Sequence, residues 1–152
     1  MEDIFTYIIV FGLLTGFSAL YLFRKDSKRS FPLSVKQWGK YILTVSVTKQ
    51  NRKIKDIVLE LNFPVDPNDF FVEFIDNNRE KESYVINDFL AHVNKTGSNK
   101  IVFPYDDFRS ALKENRFRFG CFLEDNNSKI KSHELTISKH WNIYPVDSGR
   151  YN

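Results

Sequence analysis

A run of twenty residues without a charged side chain, from Ile4 to Phe23, constrains this chain more than any other feature. As a helix rising about 1.5 Å per residue, it would be about 30 Å long, which matches the hydrocarbon core of a bilayer. Its polar side chains are hydroxyls, which bond back to their own helix or suit the membrane interface. The sequence therefore predicts an N-terminal transmembrane anchor over residues 1–23.

Two alternatives to an anchor fit the run less well. A secretory signal peptide begins with basic residues and ends at a small-residue cleavage site, whereas Glu2 and Asp3 come first here and a basic block follows. A buried helix of a soluble protein would show a polar face, and twenty residues show none.

The basic block predicts how the anchor is oriented. Positive charge is retained on the cytoplasmic side of a membrane, so we expect the N-terminus outside and the following domain inside. The membrane would be a bacterial inner membrane, or an organellar membrane with the domain in the matrix or stroma. Four side chains of the block are predicted to flank the lipid headgroups: Arg24, Lys25, Lys28 and Arg29.

The apolar run also contains a spacing typical of packed membrane helices. Gly12 and Gly16 are four residues apart, and Thr15 and Ala19 repeat that spacing beside them. Small residues let two helix backbones approach closely. The sequence thus predicts a helix–helix contact through Gly12, Thr15, Gly16 and Ala19, with another subunit or with a second copy of the chain.

Residues 24–39 are predicted to be a basic juxtamembrane linker, because Pro32 disfavours continuation of the helix. Beyond the basic block the charges nearly balance, so the net charge of +3 is poor support for nucleic-acid binding. The single cysteine, Cys121, excludes an intrachain disulfide.

Alternating apolar residues dominate the rest of the chain. In the stretch 116–124, for example, Phe117, Phe119, Cys121 and Leu123 would share one face. Strands are predicted over 41–48, 56–63, 69–76, 99–103, 116–124 and 131–138, and short helices over 83–94 and 105–115, the second capped by Asp106. We therefore expect a mainly β chain, with a small antiparallel β-sandwich of immunoglobulin-like architecture over residues 40–138 and one or two short helices. The Cys…Trp…Cys set of true immunoglobulin domains is absent.

No motif in the sequence indicates catalysis. His92, His133 and His140 are widely separated and lack zinc-ligand spacing, and Cys121 lies in an apolar strand, as a structural thiol does. Phosphate-binding glycine loops and hydrolase motifs are missing. We predict a protein that is not an enzyme, with no catalytic residue, no metal and no cofactor. The basic run 49–55 suits anionic lipid or nucleic acid, but a solvated hairpin tip is the interpretation that we favour, and no nucleic-acid partner is predicted.

The tail, residues 139–152, places large apolar side chains among turn residues. Either it packs across its own domain or it docks on a partner through Trp141, Ile143 and Tyr144.

The expected function is that of a membrane-anchored structural or assembly subunit of a larger membrane complex, such as a secretion or transport apparatus or an organellar respiratory complex. Its expected partners are other membrane-protein subunits and membrane lipid. The alternatives are a membrane-tethered module for a lipid or small ligand, and a membrane-bound enzyme without a recognisable motif.

Overall fold

The computed structural model describes residues 8–10, 13, 28–75, 81–112, 115–124 and 128–146. Within these ranges the chain is mainly β, with strands in two antiparallel sheets and few helices, as the sequence predicts. No helix of the described residues is long and apolar enough to cross a membrane. Of the predicted anchor only residues 8–10 and 13 are described, and these are helical with exposed apolar side chains.

The first sheet begins with two consecutive hairpins. Its spatial order is β1 (Arg29–Trp38), β2 (Tyr41–Gln50), β3 (Lys53–Leu61), β7 (Lys100–Pro104) and β6 (Asn94–Lys95). Only Asn51 and Arg52 join β2 to β3, and both have positive φ, as a two-residue type I′ turn requires. Leu43, Val45 and Val47 of β2 are fully buried, because alternate side chains of a strand point to the same face.

The second sheet is built around a phenylalanine-rich strand. Its spatial order is β11 (Ile143–Pro145), β10 (Leu135–Ile137), β8 (Arg116–Phe122), β4 (Phe70–Ile75) and β5 (Lys81–Val85), and β9 (Lys129–Lys131) also pairs with β8. Phe117, Phe119 and Cys121 of β8 point inward and are fully buried, which confirms the predicted alternation.

The two sheets share one core of apolar side chains. Phe108 lies at its centre, on the short helix α2 (Tyr105–Ala111) that follows β7. The ring centroid of Phe108 is 5.2 Å from that of Phe117, 5.5 Å from that of Phe119 and 5.8 Å from that of Phe103. These separations are typical of favourable aromatic pairs, so one side chain from a helix links both sheets.

The folded part begins earlier than the sequence predicts. Strand β1 occupies Arg29–Trp38, most of the segment that the sequence predicts to be a linker over 24–39. The strand pairs along its whole length with β2, with one irregularity between Pro32 and Ser34. Proline is tolerated there because β1 lies at the edge of the sheet, where half of the backbone N–H groups need no partner within the sheet.

Three other local predictions differ from the structure. The helix predicted over 83–94 is only α1 (Ile86–Phe89), because the residues before it pair with β4 as β5. The strand predicted over 131–138 is interrupted between β9 and β10, where Ser132 hydrogen-bonds to the backbone of Phe119 in both directions. Helix α2 has Pro104 at its N-cap with no side-chain cap, so Asp106 lies in the first turn instead.

Candidate binding surfaces

The predicted site residues at the N-terminus fall into two groups. Gly12, Thr15, Gly16, Ala19, Arg24 and Lys25 lie outside the described residues. Lys28 and Arg29 are described, and Arg29 begins β1. Arg29 is paired with Lys49 at the far end of β2, so the predicted membrane flank lies at the same end of the domain as the turn at Asn51 and Arg52. We call this the turn-51 end, and the end at Gly39 the turn-39 end.

Six cationic side chains gather where β1, β2 and β3 meet at the turn-51 end, and we call them the basic corner: Lys28, Arg29, Lys49, Arg52, Lys53 and Lys55. Asp56 is the acid next to them on β3. Its Oδ2 lies 3.7 Å from Nζ of Lys28 and accepts a hydrogen bond of 3.1 Å from the hydroxyl of Thr48. The Nζ of Lys49 lies 5.4 Å from the ring centroid of Phe31. Six cations outnumber Asp56 and the nearby Asp106 and Asp107 of α2, so this corner carries an excess of positive charge.

The three predicted docking residues of the tail do not share one surface. Ile143 is buried in β11, whereas Trp141 and Tyr144 are about half exposed. Trp141 lies in the turn before β11 at the turn-51 end: its carbonyl accepts a 2.6 Å hydrogen bond from the hydroxyl of Tyr105, and its ring lies 4.8 Å from the guanidinium carbon of Arg109. The tail therefore packs on its own domain through Ile143, while the aromatic side chains of Trp141 and Tyr144 remain accessible.

Strand β1 presents an edge that the sequence analysis missed. Among the described strands β1 pairs with β2 alone, and it carries three exposed apolar side chains, with Phe31 42%, Val35 55% and Trp38 53% accessible. On its inner side the hydroxyl of Ser34 accepts a 3.0 Å hydrogen bond from the backbone N–H of His133, which ties the edge to the second sheet. The spacing of Phe31, Leu33 and Val35 is the signal that could have predicted a strand here.

Among the described residues, open clefts lie at both ends of the domain. The cleft at the turn-39 end measures about 300 Å³ and is lined by Trp38, Tyr41, Leu123 and Ser128 among others. The second measures about 420 Å³ and is lined by Asp56, His92 and Phe103 among others. His92 Nδ1 lies 2.7 Å from Asp107 Oδ2 beside it. Among the described residues no group of three acidic, histidine or cysteine side chains could hold a metal ion.

The chemistry of Cys121 is governed by its burial. The thiol is fully buried in β8, and burial, together with the negative charge of Asp69, raises its pKa to about 12. A thiol that stays protonated at neutral pH is a poor nucleophile, because the thiolate is the reactive form. Cys121 therefore acts as a small apolar core residue, as the sequence predicts.

A group of carboxylates marks the turn-39 end. Burial raises the pKa of Asp69 above its ordinary value of 3.8, and the negative charges of Asp66 and Glu124 raise it further. Asp66 is held in place because its Oδ1 accepts a 2.9 Å hydrogen bond from the backbone N–H of Asn68, at the start of the 3-10 turn Pro67–Asp69. We call Asp66, Asp69 and Glu124 the acidic group.

Replacing Asp69 by asparagine should raise the thermal unfolding midpoint at pH 7. The folded protein binds a proton at Asp69 more tightly than the unfolded chain does, so the ionised carboxylate lowers stability above its folded pKa and has no such effect below about 3.8. The difference in midpoint between Asp69→Asn and the wild type should therefore shrink as the pH is lowered from 7 to below 3.8. Glu60→Gln, at an exposed acid of β3, is the control. A midpoint for Asp69→Asn at or below that of the wild type at pH 7 would contradict the assignment.

These surfaces belong to a two-sheet antiparallel β-domain with a positive corner and an apolar edge strand. Comparisons with protein-family models, with curated proteins and with solved structures find no match to this chain.

Proposed function

We propose that the chain is a single-pass membrane protein whose β-domain is a structural or assembly subunit of a larger membrane protein complex. In this proposal residues 4–23 span the bilayer, Gly12, Thr15, Gly16 and Ala19 contact a neighbouring helix, and the domain lies on the cytoplasmic, matrix or stromal side. The anchor is supported by the uncharged run with its basic flank. It is also supported by Ile8, Ile9, Val10 and Leu13, which are helical and have exposed apolar side chains.

The observation that carries a binding role is the edge of β1. An edge strand offers a row of backbone N–H and C=O groups to which another chain can add a strand, and natural proteins usually protect such edges. In β1, Pro32 and the irregularity beside it interrupt the edge, and the stretch from Val35 to Trp38 remains continuous, with Val35 and Trp38 exposed. Aromatic anchors dominate interface energetics, and an edge held close to the membrane would meet membrane-bound partners at high effective concentration. The proposed role is non-enzymatic. We also propose that the two sheets form a sandwich of immunoglobulin-like architecture.

Val35→Lys should reduce recovery of protein partners when the full chain is purified from its native membrane in mild detergent. A lysine in the middle of an exposed edge strand opposes strand addition, because its charge must stay in water. Ser83→Lys, at an exposed position of β5 on the edge of the other sheet, is the matched control and should leave recovery unchanged. Recovery is measured as the molar ratio of partner to chain by quantitative mass spectrometry.

Two results would count against this function. Equal recovery with Val35→Lys and with the wild type would exclude the β1 edge as the docking surface. Release of the wild-type chain from membranes by alkaline carbonate would exclude the anchor.

A second candidate function rests on the cleft at the turn-39 end. Its lining by Trp38, Tyr41 and Leu123 suits an apolar ligand, although an open cleft of about 300 Å³ is at the small end of the range for ligand sites. A chain purified without stoichiometric protein partners but with bound lipid, detected by native mass spectrometry, would favour this function instead.

A further inference from the structure

The basic corner lies at a fixed, short distance along the chain from the proposed anchor. Phe23 and Lys28 are five residues apart, so their Cα atoms can be separated by at most about 18 Å, whatever path the chain takes. Arg29 is directly paired with Lys49, and the turn at Asn51 and Arg52 follows at once. The β2–β3 hairpin tip, more than twenty residues further along the sequence, is therefore brought beside the chain segment that leaves the membrane.

The charge and the aromatic side chains of this end suit a membrane surface. The six cations of the basic corner, together with Arg109 on α2, outnumber the acids Asp56, Asp106 and Asp107 at this end. Trp141 is 51% exposed at the same end, and aromatic side chains of this kind prefer the level of the headgroups. Lysine and arginine clusters next to a membrane anchor bind anionic headgroups.

The opposite end carries no comparable excess of positive charge. The acidic group lies at the turn-39 end together with Lys36, Lys40, Lys95 and Lys129, so the charges there nearly balance. A domain whose excess of positive charge lies at one end has a preferred orientation above an anionic surface.

From this arrangement we infer that the basic corner binds the anionic lipid headgroups of the membrane in which the chain is anchored, and that this contact holds the domain upright with its turn-51 end on the bilayer. The inference rests on the proposed anchor and adds a second, electrostatic membrane contact. Nucleic acid, the other polyanion that a basic patch can bind, is disfavoured because the anchor confines the corner to the surface of the bilayer.

The two tryptophans of the chain report on the two ends of the domain. Full-length chain carrying Trp38→Phe leaves Trp141 as the fluorophore at the turn-51 end, and Trp141→Phe leaves Trp38 at the turn-39 end. Each variant is reconstituted into vesicles containing phosphatidylcholine with a nitroxide on its headgroup, with or without about 30% phosphatidylglycerol. The expected result is that phosphatidylglycerol at least doubles the quenching of Trp141 and leaves Trp38 almost unquenched.

Charge reversal tests whether the basic corner causes the contact. In the Trp38→Phe chain, Arg52→Glu with Lys53→Glu should abolish the increase that phosphatidylglycerol produces, and about 0.5 M salt should do the same. Lys36→Glu with Lys40→Glu changes the net charge by the same amount at the other end and should leave the increase intact. Circular dichroism of each variant checks that the domain is folded.

Three results would overturn the inference. They are equal quenching of the two tryptophans, quenching of Trp141 that does not depend on phosphatidylglycerol, and binding of a single-stranded oligonucleotide that requires the basic corner without any lipid quenching. Membrane insertion of the anchor is tested separately, by extracting the same vesicles with alkaline carbonate. A chain that carbonate strips off, but that floats with phosphatidylglycerol vesicles through the basic corner, would refute the anchor and support the headgroup contact.

Discussion

Phe119→Ala should lower the free energy of unfolding by about 3–5 kcal/mol. Phe119 is fully buried in the middle of β8, and its ring centroid lies between 5.3 and 5.8 Å from those of Phe103, Phe108 and Phe117. Truncation would remove the apolar contacts that join the two sheets and would leave a cavity that three rigid rings cannot fill. Chemical denaturation followed by tryptophan fluorescence measures the loss.

Phe122→Ala is the matched control for this prediction. Phe122 lies on the same strand but points to the outer face, where it is 38% exposed and its ring centroid is 4.8 Å from that of Phe71. Its truncation should cost about 1 kcal/mol, mostly the contact between the two rings. Similar losses for Phe119→Ala and Phe122→Ala would mean that the two faces of β8 are assigned incorrectly.

Gly120→Ala should destabilise the domain by about 1–3 kcal/mol, although it adds a single methyl group. Gly120 is paired with Phe71 of β4, and the far end of the Phe71 ring, a residue only 1% exposed, covers it on the outer face of the sheet. A Cβ atom on Gly120 would lie less than 3.0 Å from three carbons of that ring. Because the ring is almost completely covered, it cannot move aside without displacing its neighbours, so overpacking is expected.

Removing Phe71 should reverse the sign of this effect. In a Phe71→Ala background the space above Gly120 is empty, and Gly120→Ala should then be neutral or stabilising by up to about 1 kcal/mol, since alanine loses less backbone entropy on folding than glycine. A double-mutant cycle in urea measures the coupling. Equal effects of Gly120→Ala in both backgrounds would show that the ring does not cover the glycine.

Most strands could be predicted from the sequence because their apolar residues alternate. Strands β2, β3, β4, β7 and β8 lie within one or a few residues of their predicted ranges, and Phe117, Phe119 and Cys121 face inward as predicted. Alternation of apolar and polar residues reflects the geometry of a single strand, so it can be recognised without knowing which strands pair with it. The helix predicted over 83–94 is shortened at its start, because pairing with β4 supplies backbone hydrogen bonds over Lys81–Val85 that an isolated helical turn would have to form alone.

The candidate surfaces were only partly visible in the sequence. Trp141, Ile143 and Tyr144 could be recognised as large apolar residues in an irregular tail, but their division into one buried and two exposed side chains depends on the pairing of β11 with β10. The edge of β1 was hidden because Pro32 and the nearby basic block resemble a linker. Whether such a stretch becomes a strand is decided by the neighbouring strand β2, whose open side it covers.

The sequence by itself determined the uncharged run with its basic flank, the mainly β character and the burial of the phenylalanine strand. These properties follow from the order of side chains along one segment, through helix length and strand alternation. Only the tertiary structure decided that Arg29 lies beside Lys49, that Trp141 is at the same end of the domain, and that the acidic group is at the other. Residues distant in the chain become neighbours through strand pairing and turn geometry, and local patterns do not specify which strands will pair.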